Sequence, residues 1–266
     1  MRVTIGQYYP TGSAVHRLDP RVKLASAALY IALVFSARGP AAFAGAFAVL
    51  ALVAWASKIP PGLFLRGLRG MLFVIAFIAA TNVFLLHSGE VVFRAGFVRV
   101  TEGGLAAAAQ MCARLALLVC GSSALTLATS PIELTDGIER LLRPLKAVGV
   151  PAHDIAMMAT IAMRFVPTLA EELDKIMKAQ KARGADFETG GPIRRGRKLL
   201  PVLVPLFVSA FKRAEELATA MEARCYRGDA GRTRMKEMRM GARDWLMGAF
   251  FAGLCAAAWA LGAALG

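Results

Sequence analysis

Residues 105–129 read LAAAAQMCARLALLVCGSSALTLAT, and this stretch decides the fold. Only Gln110 and Arg114 in it are strongly polar. A bilayer's hydrocarbon core is about 30 Å thick and takes about 20 helical residues at 1.5 Å each, so this stretch is long enough to cross one. Four further apolar stretches lie outward from it: Leu24–Ala37, Ala41–Ser57, Met71–Leu86 and Trp245–Leu265. The last also meets the length for a span, and Ala41–Ser57 sits at the lower limit. Leu24–Ala37 and Met71–Leu86 are short, and need flanking residues, a thin bilayer or neighbouring protein.

The whole chain agrees with that reading. Its 266 residues are 57% apolar and only 19% charged, with a mean hydropathy of +0.53. Soluble domains run at about 45–50% apolar and about 25% charged. Disorder is excluded by the abundance of apolar side chains. The expectation is an all-α integral membrane protein with about five transmembrane helices. Residues 1–23 lack an apolar core before a small-residue cleavage site, so the first apolar stretch is expected to be retained rather than removed as a signal peptide.

Charge sets the orientation. The net charge of +14 would suggest nucleic acid in a soluble protein, so its distribution matters. With five spans and a cytoplasmic N-terminus, 28 of the 32 Lys and Arg residues fall on the cytoplasmic side. In the short segments alone, Arg2, Arg17, Arg21, Lys23, Lys58, Arg66 and Arg69 stand against Arg38, Arg94 and Arg99. Positive charge is retained inside, so the excess is a topology signal and no nucleic-acid partner is expected. Three parts follow: 1–129, an N-terminal cytoplasmic segment and four spans; 130–244, a cytoplasmic module; and 245–266, the fifth span.

Within 130–244 the pattern is helical and amphipathic. Ser130-Pro131 followed by Glu133 reads as a helix start, running to about Lys146, with Gly149 and Pro151 ending it. A second helix should start near Ala152 with an apolar stripe at Ile155, Met158, Ala162, Phe165, Leu169, Leu173 and Ile176. A third carries Leu203, Phe207, Ala210, Ala214, Leu217 and Met221. A basic turn, GGPIRRGRK at 190–198, is expected between them.

Both long helices end alike, at Ala182-Arg183-Gly184 and at Ala223-Arg224-Cys225, and each holds the tetrapeptide AEEL, at 170–173 and at 214–217. One arginine at a helix C-terminus is explained by its own dipole. Two of them, each ending an apolar stripe, read better as a pair of prongs for a partner's groove. A guanidinium holds a carboxylate bidentately.

Other chemistry is thinly represented. There is no G-x-x-x-x-G-K-[ST] phosphate loop. Cys112, Cys120, Cys225 and Cys255 form no C-x-x-C, and His16, His87 and His153 are scattered, so no metal site is expected. Asp136 with Glu139, and Glu171 with Glu172, read as solvated helical charge rather than catalytic pairs. Arg114 within a span is either functional or a snorkelling side chain. No enzymatic activity is expected. A secondary transporter or channel acting alone is the rival class, disfavoured because Arg114 is the one charge deep in a span.

The chain resembles the transmembrane (T) component of energy-coupling factor transporters, which are importers of vitamins and metal ions driven by ABC-type ATPases. Ser13, His16, Leu18, Asp19, Pro20, Arg21 and Lys23 match that family's opening. The run RFVPTLAEEL at 164–173, containing Arg164, Pro167 and Glu171, followed by AQKARGADF at 179–187, is similar to its central signature. Ala-Arg-Cys at 223–225 departs from the usual Ala-Arg-Gly and leaves open the turn after it.

The resemblance implies a non-catalytic scaffold in a bacterial cytoplasmic membrane. Arg183 and Arg224 would each engage one of two ATPase subunits. A small substrate-binding membrane subunit would sit on the spans and apolar helix faces. ATP and magnesium would be used by the partner ATPases, with no cofactor bound by this chain. His16, Asp19 and Arg21 would brace the first span.

Overall fold

The structure is a computed structural model, and it describes residues 8–86, 90–95, 98–149, 151–187, 189, 191–228 and 240–265. Arg2, His87 and Gly190 lie outside the described residues. The element order is α1 (Pro20–Ser36), α2 (Gly39–Ser57), α3 (Pro61–Leu85), β1 (Val91–Ala95), β2 (Val98–Thr101), α4 (Glu102–Ala128), α5 (Pro131–Leu142), a 3-10 helix (Arg143–Val148), α6 (Ala152–Ala182), α7 (Pro192–Ala223) and α8 (Ala242–Leu265). The chain divides into two compact units, and the division falls inside α5, between Gly137 and Ile138.

The first unit holds α1–α4, α8 and the start of α5. Among the described residues four helices, α2, α3, α4 and α8, are long and apolar enough to cross a membrane. The expected first span is the exception. At 17 residues α1 extends about 26 Å, at the lower limit for crossing a bilayer core. The expected third span gains length instead. Pro61 sits at N1, where its missing N–H costs nothing, and α3 therefore runs 25 residues. Arg66 and Arg69, expected in the preceding loop, lie inside that helix.

The helices of this unit pack through small side chains. A Cβ built on Gly262 of α8 would sit 2.5 Å from the Ala42 Cβ of α2, so only glycine permits this approach. Close backbone approach of this kind is how helices associate where surrounding lipid removes the hydrophobic drive. Tyr30, Val34, Ala46, Val49, Leu117 and Ala258 form the core. α3 turns Phe73, 82% exposed, and Phe77 outward, which is unfavourable in water and favourable in hydrocarbon.

One element was not anticipated. β1 and β2 form an antiparallel hairpin joining α3 to α4, with Arg94 in register with Arg99. The segment VVFRAGFVRVT, at 91–101, is rich in β-branched valine and suits a strand pair.

In the second unit, α6 begins at Ala152, as its apolar period indicated. At the start of α5, in the first unit, the Ser130 hydroxyl accepts from the Glu133 N–H at 3.3 Å, as its N-cap position predicts. α5 gives way to 3-10 geometry at Arg143 rather than continuing to Lys146. The expected basic turn is shorter than predicted, because Pro192 opens α7 and Arg194, Arg195, Arg197 and Lys198 lie within that helix.

Candidate coupling site at two arginine-capped helix ends

α6 and α7 run antiparallel. The Glu172 carboxylate accepts hydrogen bonds from the Ser209 hydroxyl and, at 2.7 Å, from the Arg213 guanidinium. The Tyr226 hydroxyl donates to Met157 Sδ at 2.7 Å. Gln180 Nε2 donates to the Pro201 carbonyl at 3.5 Å, which lost its intrahelical donor because residue 205 is also proline. Between these contacts lies a groove of about 460 Å³ lined by Ile161, Phe165, Leu169, Ala214, Leu217 and Met221.

The apolar stripes were partly misphased. Leu169, Ala214, Leu217 and Met221 do face the groove. At the start of α6, however, Ala156 is buried and Ile155 exposed; in α7, Val202 is buried while Leu203 and Phe207 are exposed. Residues 199–208 are apolar almost all round, so spacing alone leaves the buried face undecided.

The helix ends repeat one geometry. At the first, Arg183 is the C-cap, Gly184 has φ +86°, its N–H bonds the Lys181 carbonyl at 3.0 Å, and the Ala185 N–H bonds the Gln180 carbonyl at 2.9 Å. At the second, Arg224 is the C-cap, Cys225 has φ +55°, its N–H bonds the Glu222 carbonyl at 2.8 Å, and the Tyr226 N–H bonds the Met221 carbonyl at 3.0 Å. Both are Schellman motifs, which satisfy the last carbonyls by placing one residue in the left-handed region. The turn after Arg224 is thus the same as that after Arg183. Cysteine holds there a conformation that glycine adopts without a Cβ penalty. Ala182, Arg183, Gly184, Ala223, Arg224 and Cys225 are all exposed.

The register separates the two arginines. In an antiparallel pair the numbers of facing residues add to a constant, here near 383, so Arg224 lies level with residue 159 of α6. From 159 to 183 at 1.5 Å per residue is about 36 Å. The arginines therefore occupy opposite ends of the hairpin.

The other signature residues divide. Arg164, Pro167 and Glu171 are exposed on α6. Ser13, His16 and Asp19 are buried in the first unit and internally satisfied. His16 Nε2 donates to the Tyr9 carbonyl at 2.9 Å, and its Nδ1 accepts from the Ser13 hydroxyl at 2.8 Å. Thr11, 3.0 Å from Nδ1, uses its own proton on the Ser57 carbonyl. Burial lowers the pKa of His16, against a raising effect of the Tyr9 carbonyl, and nearby Lys23 lowers it further. Asp19 caps α1, accepting from the Arg21 N–H at 3.0 Å, with Pro20 following as the first helical residue. Lys23 Nζ donates to the His16 and Ala128 carbonyls at 2.8 and 3.1 Å and lies 3.6 Å from Glu133.

Three functional candidates were not singled out from the sequence: Glu172, Ser209 and Arg213. Beside Glu171 in the sequence, Glu172 reads as solvated charge, yet it joins α6 to α7. The Ser209 hydroxyl, followed by Arg213, holds its pKa below the usual carboxylate value. The i, i+4 spacing of Ser209 and Arg213 puts both on one face and was the available signal. Arg114 also resolves: it donates to the Ala37 carbonyl at 2.9 Å and lies 5.6 Å from the centroid of the Phe43 ring, a tether at the turn between α1 and α2. No cluster of three or more His, Cys, Asp or Glu with metal-holding geometry occurs among the described residues.

Comparison with known proteins bears on the family. A family model described as cobalt transport protein, CbiQ, matches residues 11–236. The energy-coupling factor transporter transmembrane protein EcfT of Acidaminococcus fermentans is 50% identical over 246 residues, covering 92% of this chain and 91% of that protein. The EcfT of Clostridium kluyveri is 49% identical over 258 residues, covering 96% and 93%, and that of Bacillus subtilis 45% over 243, covering 90% and 91%. These relatives are named as transporter components, not as enzymes. The chain belongs to this family, the transmembrane components of energy-coupling factor transporters.

Proposed function

We propose that the chain is the non-catalytic coupling scaffold of an importer of vitamins or metal ions, in which Arg183 and Arg224 each engage one of two ABC-type ATPase subunits. The observation that carries this reading is the pair of matching, exposed Ala-Arg ends about 36 Å apart on one hairpin. A single arginine would need only its own helix dipole. Two arginines in the same cap, at opposite ends of a hairpin, suit two similar acceptors. Each guanidinium would enter an acidic groove of an ATPase, and closure of the ATPases on ATP would drive the hairpin. The partner ATPases supply ATP and magnesium chemistry.

The apolar faces left exposed support a further membrane partner. Ile155 and Met158 on α6, and Leu203, Phe207 and Phe211 on α7, are open. A small substrate-binding membrane subunit would cover them and be reoriented across the bilayer when the hairpin moves. The basic residues of the short segments favour a cytoplasmic N-terminus, with the protein in the bacterial cytoplasmic membrane. In that topology α1, about 26 Å long, is the shortest of five spans, and the three-part division at 129 and 244 follows from it.

The test is purification of tagged full-length chain from its host. Arg183→Glu with Arg224→Glu should remove the ATPases while the chain still inserts and folds. Undiminished ATPase recovery from the double variant would overturn the reading.

A further inference from the structure

We propose that Glu172, Ser209 and Arg213 are positioning residues that set the register of α6 against α7 and thereby the distance between the two arginine ends. This deepens, and rests on, the reading of Arg183 and Arg224 as ATPase contacts.

The rest of the interface is poorly suited to fixing register. On the α7 side the groove presents Ala210, Ala214 and Ala218, at i, i+4 and i+8, against Phe165 and Leu169. Apolar contact is non-directional, and a row of identical methyl groups looks the same after a shift of one turn. Such a shift moves a helix by about 5.4 Å. Packed helices change register in discrete steps of this kind, not continuously.

The polar contacts break that degeneracy. In the observed register one Glu172 oxygen accepts from Ser209 and the other from Arg213. One turn in one direction, Glu172 would face Arg213 and Leu217. One turn in the other, it would face Pro205 and Ser209. Only the observed register serves both carboxylate oxygens. Charge-assisted hydrogen bonds in a half-buried site are directional and strong enough to choose among packings that are otherwise alike. Tyr226 on Met157 repeats the choice at the opposite end of the groove, through a weaker acceptor. A slip of one turn would change the roughly 36 Å between Arg183 and Arg224 by about 5 Å, enough to take one of them out of hydrogen-bond reach.

Disulfide trapping in the full-length chain, in membranes, reads the register directly. Leu169→Cys with Ala214→Cys should cross-link, whereas Leu169→Cys with Ala210→Cys or with Ala218→Cys should not. Each single-cysteine variant controls for the native thiols. Adding Glu172→Ala should weaken the 169–214 cross-link, bring up one of the shifted pairs and reduce the ATPase recovered with the chain. Exchanging the partners, Glu172→Arg with Arg213→Glu, should restore the original pattern. Ser209→Ala, the milder change, should give a partial shift, and it serves as the test if Glu172→Ala fails to accumulate.

The proposal is overturned if Glu172→Ala and Ser209→Ala both keep the 169–214 pair alone. If the cross-links shift while ATPase recovery is unchanged, the register assignment stands and the reading of the arginines as ATPase contacts fails.

Discussion

The two regions that match the family's motifs use polar and charged side chains in opposite ways. Around the start of α1 the polar residues are inward and satisfied: His16, Asp19 and Lys23 are buried, and each bonds to backbone or a neighbouring side chain. At the ends of α6 and α7 the arginines are outward, and the order lies in the backbone beneath them. A motif of charged residues thus has two physical meanings, an internal brace or an exposed contact, and burial distinguishes them. Changing a brace should cost stability and leave partner chemistry intact in whatever folds. Changing a contact should do the reverse.

Lys23→Met breaks the brace most severely. It strands two buried carbonyls and removes the charge beside Glu133, so a loss of about 3 kcal/mol is expected. A drop in the thermal unfolding midpoint in detergent checks it, together with unchanged ATPase recovery from the folded fraction. Removing one partner of His16, with Ser13→Ala, should cost about 1 kcal/mol by the same measurement.

The brace should also respond to pH. Because burial lowers the native pKa of His16 below its ordinary 6.5, the unfolded chain binds more protons in that range. Stability should therefore fall as pH drops through 6.5 towards the lowered native value, and should be level above 6.5. Unfolding scans at pH 7.5 and 5.5 show the difference, and His16→Gln should reduce it.

The smallest effect has the opposite sign and sharpens the other side of the comparison. Cys225→Gly relieves a side chain held at φ +55° and should stabilise the end of α7 by about 0.5–1 kcal/mol. Hydrogen exchange at the Tyr226 amide should slow, with ATPase recovery unchanged.

Local chemistry made much of this legible in the sequence. Four of the five apolar stretches lie in membrane-length helices: composition and length suffice for three of them, and the fourth, Met71–Leu86, reaches that length because α3 starts at Pro61. Both Ala-Arg sites proved to be helix ends because capping is decided within six residues. What escaped was tertiary. The spacing puts Leu203 on the inner face of α7 whereas Val202 is the buried residue, since an all-round apolar run has no phase. Glu171 was named and Glu172 passed over, since only the facing helix, with Ser209 and Arg213, tells them apart. The stretch 190–198 was read as a turn for its glycines and charge, although Pro192 followed by arginines is also a good helix start. The hairpin at 91–101 escaped for a related reason: an apolar count does not register valine-rich strands in a loop, whereas the shortness of α1 was legible in the 14 residues of its apolar stretch.

The central claim is that the two arginine-capped ends meet ATPase subunits. It is tested most directly by site-specific photocross-linking in the intact complex, with a benzoylphenylalanine placed at Ala185 beyond the first end and, separately, at Arg227 beyond the second. The account predicts that each probe forms its main adduct with an ABC-type ATPase chain, and that the adduct is lost when the neighbouring arginine is changed to glutamate. Adducts from either position formed only with lipid or with the chain itself would contradict it.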